Sequence, residues 1–317
     1  MKILLFGADG QLGKAFKELF RSRIHGNKIE IKYVTKRDCD LRNEESLNKL
    51  LKSFLPNLII NAAAYTEVDR AETEVDQVYA INARAPELMA TFAASYGATL
   101  LHFSSDYVFD GRKKNGYDES DDKNPLNTYG ASKAHAEDLI TNAISIKGAA
   151  KYLILRTSWM YGNGNNFILK ILQLAKSNKQ LKIIHNQYGT PTNSDWLAKV
   201  SLDLIFNKSI QLKSFQSGTY HVVPNGLTNW FEISQLAVKT ALQCGVVLNL
   251  STDEIIPIQD TDYPLRATRP QNSQLNNSKL HTLFTNENVS EKPSYLNADW
   301  EEGVVEYVNK LVHNGLI

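Results

Sequence analysis

"KILLFGADGQLG", residues 2–13, is an apolar run that passes directly into a glycine-rich turn. The apolar residues predict a short buried strand, and the residues from about Leu12 to Arg23 have helical spacing. Gly7, Gly10 and Gly13 therefore lie at a strand–turn–helix junction. Glycines at such a junction allow a tight turn and let backbone N–H groups approach a pyrophosphate at the helix N-terminus. The stretch predicts a dinucleotide-binding fold.

The first half of the chain alternates between strand and helix patterns. Further strands are predicted at 29–35, 57–63, 99–105 and 151–159, with helices at about 44–54 and 83–96. Short, almost wholly apolar strands separated by helices indicate a parallel sheet that is buried on both faces. Right-handed crossovers make such a sheet doubly wound. We therefore predict an α/β, Rossmann-type fold.

The pattern changes after about residue 160. Glycine, asparagine and proline cluster at 161–167, 186–192 and 222–229, and residues 260–277 look like a loop before a closing helix at about 299–313. We predict an NAD(P)-binding domain over 1–160 and mainly a smaller mixed α/β lobe over 161–317. This division allows segments after residue 160 to contribute to the sheet of the NAD(P)-binding domain.

The composition excludes several classes of protein. The 317 residues are 43% hydrophobic and 22% charged, which is typical of a globular protein, and the net charge of +1 argues against a nucleic-acid partner. The two cysteines, Cys39 and Cys244, are too few for a disulfide framework. No apolar stretch reaches the length of a membrane span. We expect a cytoplasmic protein without a membrane partner.

A tyrosine and a lysine four residues apart form the candidate reactive pair. Tyr129 and Lys133 lie in "NTYGASKAHAE" (127–137), on a helix predicted after Pro125, where the spacing places both on one face. Alone, such a pair is typical of an exposed helix surface. Here the glycine turn offers a site for a hydride carrier, and Ser104 and Ser105 end the strand at 99–105. Together these features indicate reduction of a carbonyl group.

The chemistry explains why these residue types are needed. A ketone that receives a hydride also needs a proton donor at oxygen, and a free phenol holds its proton too tightly near neutral pH. The Lys133 ammonium is expected to favour the phenolate of Tyr129 and so bring it into the range of a general acid–base catalyst. A serine hydroxyl holds the ketone oxygen. The small residues 130–132 are expected to let a cofactor lie close to the helix.

The residues after the second strand bear on the choice of cofactor. NAD-binding proteins often place an acid there to hold the ribose 2′-hydroxyl. This chain has Thr35, Lys36 and Arg37 instead, and basic groups suit a 2′-phosphate. Lys36 and Arg37 are also typical of a solvated turn. We expect NADPH, with NADH as the alternative.

Several strings, in order along nearly the whole chain, resemble the extended short-chain dehydrogenase/reductases, and within them the reductases of dTDP-linked 4-keto sugars. They are "FGADGQLG", "NAAAYTEVDRAE", "SSDYVFDG", "PLNTYGASKAHAE", "RTSWMYGNGNNF", "NQYGTPT" and "RPQNSQLN". The resemblance implies reduction of the C4 ketone of dTDP-4-dehydro-β-L-rhamnose with NAD(P)H, the last step in making dTDP-L-rhamnose. It also implies that the second lobe binds the sugar nucleotide.

The resemblance further implies roles for individual residues. Ser105, where the family usually has threonine, would complete a catalytic triad with Tyr129 and Lys133, which also contact the cofactor. For the cofactor, Gly10, Gln11 and Leu12 would line the pyrophosphate, and Asp40 and Leu41 would lie by the adenine. Ala64, Tyr65 and Thr66 would contact the rest of the cofactor. The sugar nucleotide would be contacted by Ser105, Asp106, Tyr107 and Trp159.

A departure from the family pattern bears on metal binding and on the oligomeric state. Some relatives bind Mg²⁺ at a dimer interface through glutamates. By the resemblance, Asp195 and Glu301 would correspond to two of these positions, but Phe16 stands where another acid would be expected. This argues against a metal-bridged dimer, so we predict no metal ligands and a monomer or homodimer.

Two other functions remain as alternatives. One is a different NDP-4-ketohexose reductase, and the other is a non-catalytic nucleotide-binding regulatory subunit. Dehydration is disfavoured, because related 4,6-dehydratases have T-D-E at the strand end and here Tyr107 follows Asp106.

Overall fold

The computed structural model describes residues 1–23, 29–148, 150–207, 209–263, 265–286 and 293–317. A six-stranded parallel sheet forms its centre, in the order β10-β5-β4-β3-β1-β2. These strands are β1 (Lys2–Phe6), β2 (Glu30–Val34), β3 (Leu58–Asn61), β4 (Thr99–Ser105), β5 (Lys151–Thr157) and β10 (Gly218–His221). The short strands β6 (Met160–Tyr161), β7 (Leu181–Ile184), β8 (Tyr188–Gly189), β9 (Thr192–Asn193), β11 (Thr228–Asn229) and β12 (Ile255–Ile258) pair outside it.

Helices cover both faces of the sheet and build the second lobe. They are α1 (Gln11–Arg23), α2 (Glu44–Phe54), α3 (Val68–Ala71), α4 (Val75–Tyr79), α5 (Ala85–Tyr96), α6 (Thr128–Lys147), α7 (Phe167–Ser177), α8 (Ser194–Ile205), α9 (Trp230–Gln243), α10 (Ser278–Asn286) and α11 (Trp300–His313). The Rossmann-type fold is confirmed. In the part of the chain described, no helix combines the length and apolar character needed to cross a membrane.

The sheet is buried on both sides because alternate residues of its strands face opposite layers. In β1, Ile3 and Leu5 pack into a cluster with α1 and α8, whereas Leu4 and Phe6 pack into a cluster with α2 and α5. This explains why the strand reads as a continuous apolar run. A third cluster joins α7, α9 and α11 in the second lobe.

The chain after residue 160 takes part in both lobes. Strand β10 returns to the sheet and pairs with β5, and α8 packs against α1. The first lobe is therefore not continuous in sequence.

The helix predicted at 83–96 starts earlier in the structure. Residues 75–96 run through α4, a π-helical turn at Ala80–Arg84 and then α5. A π-turn adds a residue to the turn and breaks the regular spacing by which a helix is recognised in sequence. The predicted boundary therefore fell inside the turn, at Ala83.

Asparagine side chains start several of these helices. Asn43 accepts a hydrogen bond from Ser46 N before α2, and Asn127 accepts one from Gly130 N before α6. Each side chain satisfies a backbone N–H that has no partner within the helix. The cap at Asn127 fixes where α6 begins and so where Tyr129 lies.

Candidate active site

A cleft opens outside the carboxyl ends of the strands, beside β1. The chain leaves β1 for β2 on one side and returns to β3 on the other, and ligands bind at such a switch point in open α/β sheets. Two adjoining cavities of about 660 and 400 Å³ share Gly10, Ala64 and Thr66 in their walls. Together they form one continuous groove.

Nearly all residues that the sequence suggested for a site line this groove. The larger cavity is lined by Gly10, Gln11, Leu12, Ala64, Thr66, Ser105, Asp106, Tyr107, Tyr129, Lys133 and Trp159. The smaller cavity adds Gly7, Asp40, Leu41 and Tyr65. Gly13 lies beneath the turn, outside both walls.

The glycine turn has the close packing that a bound dinucleotide requires. Gly7 adopts φ +74°, a conformation that side-chain-bearing residues rarely take. A Cβ on Gly13 would lie 2.1 Å from the Gly7 carbonyl oxygen, and one on Gly10 would lie 3.3 Å from it. The chain therefore folds tightly under the N-terminus of α1, where free N–H groups and the helix dipole favour an anion. This geometry fits a pyrophosphate.

The end of the groove near β2 carries opposite charges side by side. Lys36 lines the smaller cavity, whereas Arg37 is exposed and outside its wall. Asp40 is paired with Arg42, which lowers the pKa of the carboxyl to about 2. Of the two predicted basic residues, only Lys36 is placed to meet a ligand in this cavity.

The two serines at the end of β4 have different surroundings. Ser104 Oγ donates to Glu137 Oε1 at 2.5 Å, in a buried network where Arg156 also binds Glu137. Ser105 Oγ donates to Asp106 Oδ1 at 2.8 Å and is hydrogen-bonded to the Tyr129 phenol. Successive residues of a strand point to opposite faces. Ser105 is therefore the serine that meets the reactive pair.

The Tyr129 phenol holds its proton firmly. Burial and the nearby Asp106 carboxylate raise its pKa to about 12, and the hydrogen bond with Ser105 offsets only part of that increase. The Tyr107 ring meets the Tyr129 ring edge-on, with centroids 5.6 Å apart. At neutral pH the phenol is protonated, which is the form that donates a proton.

The Lys133 amine makes its polar contacts with residues of β4. Its Nζ donates to the Phe103 carbonyl oxygen at 2.6 Å and lies 3.3 Å from His102 Nε2. Burial, the Asp106 carboxylate and the Ser105 hydroxyl account for the shift in the Tyr129 pKa, so the expected effect of the Lys133 ammonium on the phenol stays a prediction. Burial lowers the lysine pKa to about 8. The amine therefore changes charge close to the physiological range.

The small residues between the pair have a packing role that we did not predict. A Cβ on Gly130 would lie 2.1 Å from the Tyr107 carbonyl oxygen. Ser132 is fully buried, and its hydroxyl accepts a hydrogen bond from Asn82. Gly130 therefore lets α6 pack closely against the chain after β4, and the approach of a cofactor to this helix stays a prediction.

Asp106 is a buried carboxyl beside the reactive pair. It is 2% exposed, and its Oδ2 has no hydrogen-bond partner among the residues described. Burial raises its pKa to about 6, although hydrogen bonds to its side chain partly oppose this. Asp106 Oδ2 can therefore accept a hydrogen bond from a hydroxyl group of a ligand.

Two tryptophans form a wall of the larger cavity. Trp159 lies just after β5 with φ +46°, a costly conformation for a bulky residue. Its ring stacks on Trp230 with centroids 3.9 Å apart, and a Cβ on Gly189 would lie 2.6 Å from that ring. Trp230 was not predicted, because nothing in its sequence neighbours distinguishes it from a core aromatic residue.

Comparison with known proteins identifies the family. The profile of the RmlD substrate binding domain matches residues 1–312. The dTDP-4-dehydrorhamnose reductase of Escherichia coli (strain K12) is 36% identical over 313 residues, covering 98% of each chain. The chain belongs to the dTDP-4-dehydrorhamnose reductase family. The predicted resemblance is confirmed.

Solved structures of the family agree. A dTDP-4-dehydrorhamnose reductase from Clostridium acetobutylicum has a TM-score of 0.83 and 32% identity, covering 98% of this chain and 100% of its own. The enzyme from Bacillus anthracis, solved in complex with NADP, has a TM-score of 0.81 and 30% identity, covering 98% and 99%. The likeness of this chain to the dTDP-4-dehydrorhamnose reductases therefore spans both lobes.

The three positions that were considered for Mg²⁺ binding, Phe16, Asp195 and Glu301, have different surroundings. Phe16 is fully buried in the core, and Asp195 forms an ion pair with Lys310 at 2.8 Å. Glu301 is exposed on the first turn of α11. Within the ranges that the structure describes, no group of three or more His, Cys, Asp or Glu side chains could hold a metal ion.

A second residue missed by sequence reasoning is Asn82, in the π-turn. Its side chain accepts from Tyr65 N and donates to Tyr65 O and Ser132 Oγ. It therefore ties the loop that carries Tyr65 to helix α6, which carries Tyr129. The irregular helix is the signal that could have found it, since π-turns often occur at functional sites.

Proposed function

We propose that this protein reduces the C4 ketone of dTDP-4-dehydro-β-L-rhamnose with NADPH to give dTDP-L-rhamnose. The observation that carries the proposal is that Ser105, Tyr129 and Lys133 line the same groove as the glycine turn. The named relatives are dTDP-4-dehydrorhamnose reductases, and one of them was solved with NADP. NADH remains the alternative cofactor.

The reaction assigns a task to each residue. When NADPH is bound, its nicotinamide ring supplies the hydride that C4 accepts. Tyr129, protonated at neutral pH, donates its proton to the oxygen that becomes the C4 hydroxyl, and Ser105 holds that oxygen in line. Lys133 lines the groove beside the phenol and would contact the cofactor there.

Substrate binding is assigned to the groove on the side of the second lobe. The stacked rings of Trp159 and Trp230 offer a flat apolar surface to the sugar. Asp106 and Tyr107 provide polar groups for its hydroxyls. The glycine turn with Gln11 and Leu12 would hold the cofactor pyrophosphate, and Lys36 would face the 2′-phosphate.

The test is oxidation of NADPH with dTDP-4-dehydro-L-rhamnose, followed by loss of the nicotinamide absorbance. We expect turnover with this sugar to exceed turnover with other NDP-4-ketohexoses. If another 4-keto sugar is preferred, the substrate assignment is wrong and the reaction type stands. If no sugar is turned over by a folded protein that binds NADPH, the non-catalytic alternative replaces the proposal.

Tyr129→Phe tests the proton donor. We expect unchanged NADPH binding and a turnover about 10²–10⁴-fold lower, the usual cost of losing a general acid. Tyr220→Phe is the matched control, because Tyr220 is also buried and its hydroxyl donates to the Gln216 carbonyl oxygen, outside the groove. Near-normal turnover in Tyr129→Phe would show that another group supplies the proton.

A further inference from the structure

A chain of buried polar groups lies behind Lys133, on the side away from the groove. Asn61 ends β3, His102 lies in β4, and both are at most 1% exposed, as is Lys133. Asn61 Nδ2 lies 3.1 Å from His102 Nδ1, and His102 Nε2 lies 3.3 Å from Lys133 Nζ. The reaction proposed above uses neither Asn61 nor His102.

The orientation of the Asn61 amide determines which atom faces His102. The backbone N–H of Ala63 can only donate, and its partner at 3.2 Å is Asn61 Oδ1. The Asn61 NH₂ group must therefore be the atom that faces His102 Nδ1, and it donates to that nitrogen. A neutral imidazole carries one proton, so a His102 that accepts at Nδ1 carries its proton on Nε2.

This tautomer conflicts with a protonated lysine. An Nε2–H faces Lys133 Nζ, and only a neutral amine can accept a hydrogen bond from it. An ammonium has three donors and no acceptor, so it requires the lone pair on Nε2 and hence a proton on Nδ1. That Nδ1–H would then face the NH₂ group of Asn61, unless the amide turned and gave up its bond from Ala63.

We propose that His102, oriented by Asn61, is a positioning residue that favours the neutral amine of Lys133 and changes tautomer when the lysine takes up a proton. Both tautomers carry one proton, so the only proton taken up is the one that binds Lys133. The inference rests on the proposed function only in that it treats Lys133 as part of the reactive groove.

The other groups around Lys133 do not remove this conflict. Burial and the Lys133 charge hold the His102 pKa well below its usual value, so the imidazole stays neutral and responds only by changing tautomer. Glu137, on the same helix, favours the ammonium, but it is paired with Arg156 at 2.7 Å. The Tyr129 phenol is uncharged near neutral pH, and the Asp106 carboxyl lies next to that phenol.

NMR of protein labelled with ¹⁵N-histidine tests the inference without any assay of turnover. The two nitrogens of a neutral imidazole have different shifts when protonated and when not, and the His102 signal among the seven histidines is assigned by its loss in His102→Gln. We expect the Nε2–H tautomer at high pH and the Nδ1–H tautomer at low pH, with the change between about pH 7 and 9, where the buried lysine titrates. A single tautomer from about pH 6 to 10 would overturn the proposal.

Asn61→Asp gives a variant with nearly the same shape. A carboxylate accepts at both oxygens, so it keeps the bond from Ala63 and stabilises Nδ1–H of His102 at every pH tested. His221→Gln is the control, because His221 is an equally buried histidine that is bound to Arg156 and lies in β10, two strands away from His102. His221→Gln should leave the pH-dependent tautomer change of His102 as it is in the wild type. If His102 still changes tautomer with pH in Asn61→Asp, the proposal is contradicted.

Turnover provides an independent readout. The fall of kcat at high pH is expected where Lys133 loses its proton. This basic limb of the pH–kcat profile should move up by about one pH unit in both Asn61→Asp and His102→Gln, because each variant lets a hydrogen-bond acceptor face the Lys133 ammonium. A purely structural role would lower kcat equally at all pH values. A tautomer change in the wild type without turnover would refute the proposed function and leave this inference intact.

Discussion

Replacing Asp106 with asparagine removes a buried charge from the groove while keeping the shape of the side chain. The carboxyl has a folded-state pKa of about 6 against an ordinary value of 3.8, because burial disfavours its charged form. The native protein therefore binds this proton more tightly than the unfolded chain does. Between these two pKa values the unfolded chain holds fewer protons, so the stability of the wild type falls as pH rises.

The size of the effect follows from the two pKa values. A difference of about 2 pH units corresponds to about 3 kcal/mol lost from the free energy of unfolding by neutral pH, of which about 2 kcal/mol is lost between pH 4.5 and 8. In Asp106→Asn the introduced amide oxygen still accepts from Ser105, but the amide NH₂ group replaces an oxygen without a partner, which costs about 1–3 kcal/mol at every pH. The difference between the two pH values is therefore the informative quantity.

Urea unfolding at about pH 4.5 and about pH 8 measures this difference. Relative to the wild type, Asp106→Asn should gain about 2 kcal/mol in the free energy of unfolding between the lower and the higher pH. Asp110→Asn serves as the control, because hydrogen bonds from Tyr117 and Arg112 lower its carboxyl pKa and the expected change has the opposite sign. An equal change in stability at both pH values would refute the argument that Asp106 is held at a desolvation cost.

Three further predictions follow from the same structure. Gly13→Ala places a Cβ 2.1 Å from the Gly7 carbonyl oxygen, so we expect a loss of about 1–3 kcal/mol in thermal or urea unfolding and weaker NADPH binding by titration. Glu137→Gln leaves the buried Arg156 without its counter-charge, so unfolding should be easier by about 3–5 kcal/mol in the same assays. Lys36→Ala should raise the KM for NADPH about tenfold and leave the KM for NADH unchanged, and equal effects on both cofactors would contradict a contact with the 2′-phosphate.

Strand β1 shows why much of the sheet could be predicted from sequence. It is buried on both faces, so nearly every residue had to be apolar, and the glycine turn that follows left little choice of conformation. Strand β10 could not be predicted in this way. It has four residues, "GTYH", and its place beside β5 depends on contacts with residues about 65 positions earlier.

The reactive residues could be inferred because their chemistry is visible in their types. A phenol, an amine and a hydroxyl at strand and helix ends suggest carbonyl reduction wherever they occur beside a dinucleotide turn. Asn82 and His102 carry no such signal, since their roles depend on partners such as Tyr65 and Lys133 that are distant in sequence. The direction of the Lys133 amine was unpredictable for the same reason, because the Phe103 carbonyl that attracts it belongs to another element.

Burial shifts the three ionisable groups of the groove toward their neutral forms, and this gives the two directions of the reaction different dependences on pH. The pKa is raised to about 6 for Asp106 and about 12 for Tyr129, and lowered to about 8 for Lys133. Reduction of a ketone needs the neutral phenol as a proton donor, whereas oxidation of the alcohol needs the phenolate as a base. The phenolate is scarce at any pH well below the raised pKa of Tyr129. The rate of reduction should therefore stay level until Lys133 titrates, while the rate of the reverse reaction rises with pH over the same range.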